Sequence, residues 1–259
     1  MEKTKVCVLR TAGTNCDKET AFAFSEAGAR PELVHVNTLI GAEKKLCDYH
    51  ILAIPGGFSY GDDIASGKIL ANELRCKLFA DITQFVREGK LIIGICNGFQ
   101  ILVKSGLLPG NETLTQEASL IINDSGKFED RWTYLKSSGK CVWTQGLPEV
   151  VYLPVAHGEG KFIPQNKAVL ERLKKNKQIV FAYCDEKGAA AGYPHNPNGS
   201  VENIAGICDE TGRIFGLMPH PERHIAYSQH PRWTSGKSRK EGDGLAIFRN
   251  AVRYAHKHL

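Results

Sequence analysis

Long apolar runs are missing from this chain of 259 residues, and no stretch approaches the roughly 18–20 residues that a bilayer-spanning helix requires. The opening MEKTKVCVLR runs directly into a strand pattern, without the apolar region and small-residue cleavage site of a signal peptide. Both observations predict a cytoplasmic protein with no membrane role. No Cys-x-x-Cys pair occurs among the eight cysteines, so neither a zinc site nor a disulfide framework is expected. Apart from Cys96, the cysteines are expected to be buried small hydrophobes. Charge of one sign is not in large excess: 33 Lys and Arg against 28 Asp and Glu leave +5, densest at residues 237–240 (KSRK). A nucleic-acid binder would concentrate its basic residues on one stripe, so that class is disfavoured. A G-x-x-x-x-G-K-[ST] phosphate loop is also absent, which places nucleotide chemistry outside this chain.

What is present fits an ordinary globular protein, with 42% hydrophobic and 24% charged residues. Strand-like segments at 5–9, 32–36, 50–54 and 91–95 alternate with helical patterns at 18–27 and 68–88. Near-continuous apolar strands separated by helices predict a parallel sheet covered on both faces. Downstream, short strand candidates at 120–122, 132–135, 150–155, 179–183, 204–208 and 214–218 are interrupted by one helix, at 167–175. They read as antiparallel strands added to the edge of the first sheet, so residues 1–259 are expected to form one domain. Residues 228–244 read as a mobile surface loop before a closing helix at 245–256.

The stretch LIIGICNGFQILVKSG places Cys96 where a strand hands over to a helix. Gly94 and Gly98 flank it two positions to either side, giving the cysteine counterpart of the G-x-S-x-G nucleophile elbow. Small residues there let strand and helix approach closely. The side chain is then presented at the carboxyl end of the sheet, where open α/β folds bind ligands. A helix N-terminus favours a thiolate and can hold an oxyanion, with the N–H of Asn97 as the donor on that side.

A cysteine nucleophile needs a base, and the base needs an orienting acceptor. Among nine histidines, His220 follows the strand at 214–218 between two prolines, two residues before Glu222. In an extended segment, residues two apart point to the same side. His35 alternates with valines and reads as half-buried packing, while His256 and His258 read as solvated. His157 competes with His220 but has no acidic partner in a rigid segment.

GICNGFQIL together with MPHPERH resembles the class I, triad-type glutamine amidotransferases, in which Cys, His and Glu release ammonia from glutamine. Within them the similarity is greatest to the glutaminase components of phosphoribosylformylglycinamidine synthases, which act in purine biosynthesis. It extends along the chain through TAGTNCDKE, PGGFSYGDD, NDSGKFEDRW, AHGEGK and PNGSVENIAGICDETGRIFGLMPHPERH. The resemblance implies a flavodoxin-like, mostly parallel sheet with helices on both faces and added antiparallel strands. It implies Cys96, His220 and Glu222 as the catalytic triad, and the N–H groups of Gly57 and Asn97 as the oxyanion hole. Gly56, Phe58, Ser59, Gln100, His157, Gly158 and Glu159 would bind L-glutamine, with no metal and no cofactor in this chain. A large synthetase subunit using ATP and magnesium would receive the ammonia, with a small third subunit in separately encoded versions. The chain's length and its DDIASGK segment at 62–68 resemble the amidotransferase domain of fused, single-chain synthetases instead. Another class I amidotransferase subunit and a cysteine hydrolase on the same scaffold are the alternatives.

Overall fold

The computed structural model describes residues 3–111, 115–138, 140–235 and 241–259. The first half alternates β1 (Lys5–Arg10), α1 (Asp17–Glu26), β2 (Arg30–His35), α2 (Val36–Ile40) and β3 (Ile51–Ile54). It continues through α3 (Lys68–Lys77), α4 (Phe79–Arg87), β4 (Leu91–Ile95) and α5 (Asn97–Lys104). The second half carries β5 (Ala118–Ile121), β6 (Glu129–Ser137), β7 (Val150–His157), β8 (Lys161–Pro164) and α6 (Lys167–Lys175). Then come β9 (Ile179–Cys184), β10 (Ile204–Cys208), β11 (Ile214–Leu217) and α7 (Leu245–His258).

Among the described residues nine strands form one sheet in the order β2-β1-β3-β4-β11-β10-β9-β6-β7, and β5 pairs with β8 separately. The first five strands are mutually parallel and repeat the 2-1-3-4-5 order of flavodoxin-like sheets. Every residue of β3, β4 and β11 is buried, as expected for strands covered on both faces. The other four strands extend the sheet antiparallel from β11. The sheet is therefore the expected mixed α/β architecture.

Several expectations need correction. The strand at 214–218 was grouped with the antiparallel additions, but β11 pairs parallel with β4 in the middle of the sheet. Its carboxyl end therefore lies beside that of β4, and His220 follows it. The single helix expected at 68–88 is two helices, because Leu78 leaves the helical region (φ −121°, ψ 11°) and its side chain is buried. No Gly or Pro marks that break. His35 is exposed rather than half-buried, and its Nδ1 accepts from the Asn37 N–H at the start of α2. The described ends of the 228–244 segment are anchored: the N–H of Gly242 donates to Ile225 O and that of Gly244 to His224 O. The KSRK run lies outside the described residues.

Candidate active site

Cys96 occupies the turn between β4 and α5 with φ 53° and ψ −106°, a conformation that L side chains rarely adopt. Such a residue costs on the order of 1–3 kcal/mol and persists only where its surroundings fix it. Here the two flanking glycines allow the fit. A Cβ on Gly94 would stand 2.5 Å from Gly98 O, and one on Gly98 would stand 1.8 Å from Ile54 O on β3. The elbow is thus built from a strand and a helix packed at backbone contact. Asn97 opens α5, so its N–H has no acceptor within the helix.

Four loops at the carboxyl ends of the sheet converge on this thiol. His220, after β11, is anchored by its N–H donating to Pro154 O at 2.8 Å, and its Nδ1 lies 2.6 Å from Glu222 Oε1. Both side chains are buried, and neither His220 Nε2 nor Glu222 Oε2 has a hydrogen-bond partner among the described residues. Burial opposes charge on the imidazole. The carboxylate of Glu222, with the thiols of Cys96 and Cys16, outweighs it and holds the His220 pKa well above the ordinary histidine value. Gly56, after β3, faces this group: a Cβ there would meet His220 Cε1 at 2.8 Å, Cys16 Sγ at 3.2 Å and Cys96 Cβ at 3.4 Å. Only a glycine leaves the thiol and the ring open to each other.

Gly57 follows with φ 138°, and a Cβ there would stand 2.7 Å from Gly13 O. The contact between this segment and the loop after β1 is carried by Phe58 N–H to Gly13 O and Cys16 N–H to Gly56 O. Neither bond uses the N–H of Gly57.

A cavity of about 120 Å³ lies over Cys96. Drug-sized ligands occupy pockets of roughly 300–1,000 Å³, so this one suits a molecule of amino-acid size. It is lined by Cys96, His220, Gly57, Phe58, Gln100, His157, Gly158 and Glu159, all expected from the sequence. Ser59 is not among the lining residues: it is buried, and its N–H donates to Asn97 Oδ1 at 3.2 Å. Asn97 Nδ2 donates in turn to Asp62 Oδ1 and Gln100 Oε1, tying the 58–62 loop to α5. Gln100 Nε2 donates to Glu159 O at 2.6 Å, closing one wall.

His157 is held by two asparagines that the sequence reading left without a role. Its Nδ1 meets Asn123 Oδ1 at 3.2 Å and its Nε2 meets Asn198 Nδ2 at 3.5 Å. Asn123 also clamps the 157–160 turn, accepting from Gly160 N–H and donating to His157 O. Burial, with a smaller effect from His220, drives the His157 pKa down to about 3. A neutral ring with both nitrogens engaged is a wall of the site and a poor base. In the unfolded chain this ring takes a proton at about pH 6.5, so below that value the unfolded state binds more protons than the folded one. His157 should therefore cost the fold a few kcal/mol as pH falls from about 6.5 toward 3. Urea unfolding between pH 7 and 5 should show a pH slope that His157→Gln reduces by about one proton. Equal slopes would mean that the ring is protonated in the folded chain.

Among the lining residues that sequence reasoning missed are Cys16 and Arg223, which meet each other. Cys16, read as core packing, sits at the end of the TAGTNC loop with its Sγ accepting from Arg223 Nη2 at 3.2 Å. Arg223 is paired with Glu19 at 2.9 Å. Cys47 and Cys76 were also expected to be buried and are exposed, whereas Cys7, Cys141, Cys184 and Cys208 are buried.

Residues 3–255 match the family described as CobB/CobQ-like glutamine amidotransferase domains. The chain belongs to that family. It is 51% identical to the phosphoribosylformylglycinamidine synthase subunit PurQ of Dehalococcoides mccartyi, over 99% of this chain and 100% of that one. The subunit of the same name from Methanococcus maripaludis is 47% identical, with 98% of each chain covered. Among solved structures, PurLQS from Thermotoga maritima matches with a TM-score of 0.74 at 32% identity, covering 97% of this chain and 99% of that one. The glutaminase domain of CTPS from Trypanosoma brucei, at 14% identity and a TM-score of 0.57, shares the fold. The similarity to fused synthetases read from chain length is corrected by these relatives, which are named as subunits and match this chain along their length.

Proposed function

We propose that this amidotransferase is the glutaminase subunit of a phosphoribosylformylglycinamidine synthase in purine biosynthesis, a single domain with Cys96, His220 and Glu222 as its triad. The observation that carries the chemistry is the convergence of an elbow thiol, a Glu222-paired imidazole and an amino-acid-sized cavity. The relatives' names carry the choice of pathway.

In this reading the Cys96 thiolate, its proton held on His220, attacks the carboxamide carbon of L-glutamine. The N–H groups of Gly57 and Asn97 receive the oxyanion, supplying transition-state stabilisation that a neutral carboxamide would not engage. His220, charged through its pairing with Glu222, gives its Nε2 proton to the departing ammonia and leaves a γ-glutamyl thioester on Cys96. The neutral ring then takes a proton from water as the water attacks the thioester, and cleavage of the C–S bond releases glutamate and restores the thiolate beside the charged ring. The substrate's amino-acid end would lie against Gln100 and the 157–159 turn, with Gly56 and Phe58 beside the scissile amide.

Ammonia is useful only if it reaches an acceptor before it is protonated in water, which is the reason for a large synthetase partner using ATP and magnesium. Phe58 and Phe128, two cavity residues, are about half exposed, and Ile64 on the adjoining loop is more so. Clustered exposed apolar side chains support a docking face there. A small third subunit and a cytoplasmic location belong to the same reading.

The test is a glutaminase assay with the synthetase from the same source. Glutamate release and amidine formation should rise together, and Glu222→Gln should lower both by roughly 10⁴-fold through loss of the imidazole's orientation and charge. Full turnover in His220→Ala would remove that residue from the mechanism.

A further inference from the structure

Asn97 serves the mechanism through its backbone N–H, but its side chain is also buried, and both of its amide hydrogens are engaged. Oδ1 accepts from the Ser59 N–H at 3.2 Å, while Nδ2 donates to Asp62 Oδ1 at 3.1 Å and to Gln100 Oε1 at 2.9 Å. A backbone N–H can only donate and a carboxylate can only accept, so the Asn97 amide has one allowed orientation. That orientation dictates the next. Gln100 must present its oxygen to Asn97, which turns its Nε2 toward Glu159 O at 2.6 Å. A directed chain of hydrogen bonds therefore runs from the 58–62 loop through α5 to the 157–159 turn. At the loop end, the N–H groups of Phe58 and Tyr60 donate to Gly13 O and Ala12 O, and that of Ser59 is held by Asn97.

We propose that Asn97 is a positioning residue through its side chain: by fixing which way the Gln100 amide faces, it sets the affinity of the cavity for the amino-acid end of glutamine. The inference rests on the proposed function, in which Gln100 and the 157–159 turn hold that end. Gln100 Nε2 has one hydrogen on Glu159 O, and its Oε1 has one lone pair on Asn97. One donor and one acceptor are left for substrate. Turned over, the Gln100 amide would set oxygen against Glu159 O and nitrogen against Asn97 Nδ2, so both contacts would become repulsive. Asp62 secures the first link, because its Oδ1 also accepts from the Gly67 N–H at 3.1 Å and pins the loop to the start of α3. A side chain at 97 that keeps only the backbone N–H would leave Gln100 free to turn.

The readout is steady-state glutamine hydrolysis by the chain assembled with its synthetase. Asn97→Asp has the same shape and still accepts from the Ser59 N–H, but it has no hydrogens for Asp62 or Gln100. It should raise KM for glutamine by at least about tenfold, and by more than it lowers kcat. Combined with Gln100→Ala, it should raise KM no further than Gln100→Ala alone, to within about twofold, because one residue acts through the other. Asp62 gives a second route that leaves Asn97 in place and carries the test if Asn97→Asp does not fold. Asp62→Ala should raise KM about fivefold, and Asp62→Asn, which keeps the accepting oxygen, should restore most of that loss. An unchanged KM in Asn97→Asp, or additive effects in the double variant, would overturn the proposal. So would equal harm from Asp62→Asn and Asp62→Ala, which would mean that the carboxylate's charge meets substrate directly. These outcomes leave the proposed function standing; a parent chain without Cys96-dependent hydrolysis would overturn that function and this inference together.

Discussion

Cys96→Ala should abolish glutamine-dependent synthesis by the assembled enzyme, by about 10⁴–10⁶-fold, while synthesis from added ammonia persists. In the proposed mechanism the substitution removes the atom that forms the thioester and leaves the backbone donors and the cavity in place. Alanine also fits the site sterically, since it only removes the sulfur and keeps the same Cβ, and the hydrogen bond lost to Ala156 O is a long one at 3.7 Å. Steady-state assays with glutamine and with ammonium salts separate the two nitrogen sources. Equal loss with both would mean that Cys96 supports the fold or the partner interface and not the chemistry.

Gly98→Ala should be among the most damaging single-methyl additions to this chain, lowering stability by about 4 kcal/mol or more or preventing soluble expression. The added Cβ would meet Ile54 O at 1.8 Å and Ile54 C at 2.7 Å, backbone atoms of a fully buried central strand. Relief requires α5 to move away from β3, which also moves Cys96 out of its strained turn. Gly192→Ala is the control, since no atom lies within 4 Å of its added Cβ and the expected change is within about 0.5 kcal/mol. Denaturant midpoints for the two variants check this. A Gly98→Ala chain as stable as the parent would contradict the backbone contact between strand and helix.

Much of the site was legible because its signals are local. Gly94, Cys96 and Gly98 lie within five residues, and their spacing encodes a strand-to-helix turn whatever surrounds it. His220 and Glu222 are two apart, so their pairing also follows from local backbone. The resemblance to amidotransferases then joined these two segments, which periodicity alone does not connect. The segments around Asn123 and Asn198 were visible as motifs, but their task of holding His157 emerged only when three distant loops met.

What the sequence determined by itself was the alternation of buried strands and helices, the elbow, and the proline-framed histidine with its carboxylate. Each of these depends on side-chain size, periodicity or spacing over a few residues. Tertiary structure alone decided that β11 lies parallel beside β4, that the helix at 68–88 breaks at Leu78, and that Cys16 faces Cys96 across Gly56. Strand neighbours and loop contacts are set by which apolar faces pack best across the whole chain. Composition within a segment carries no record of that choice.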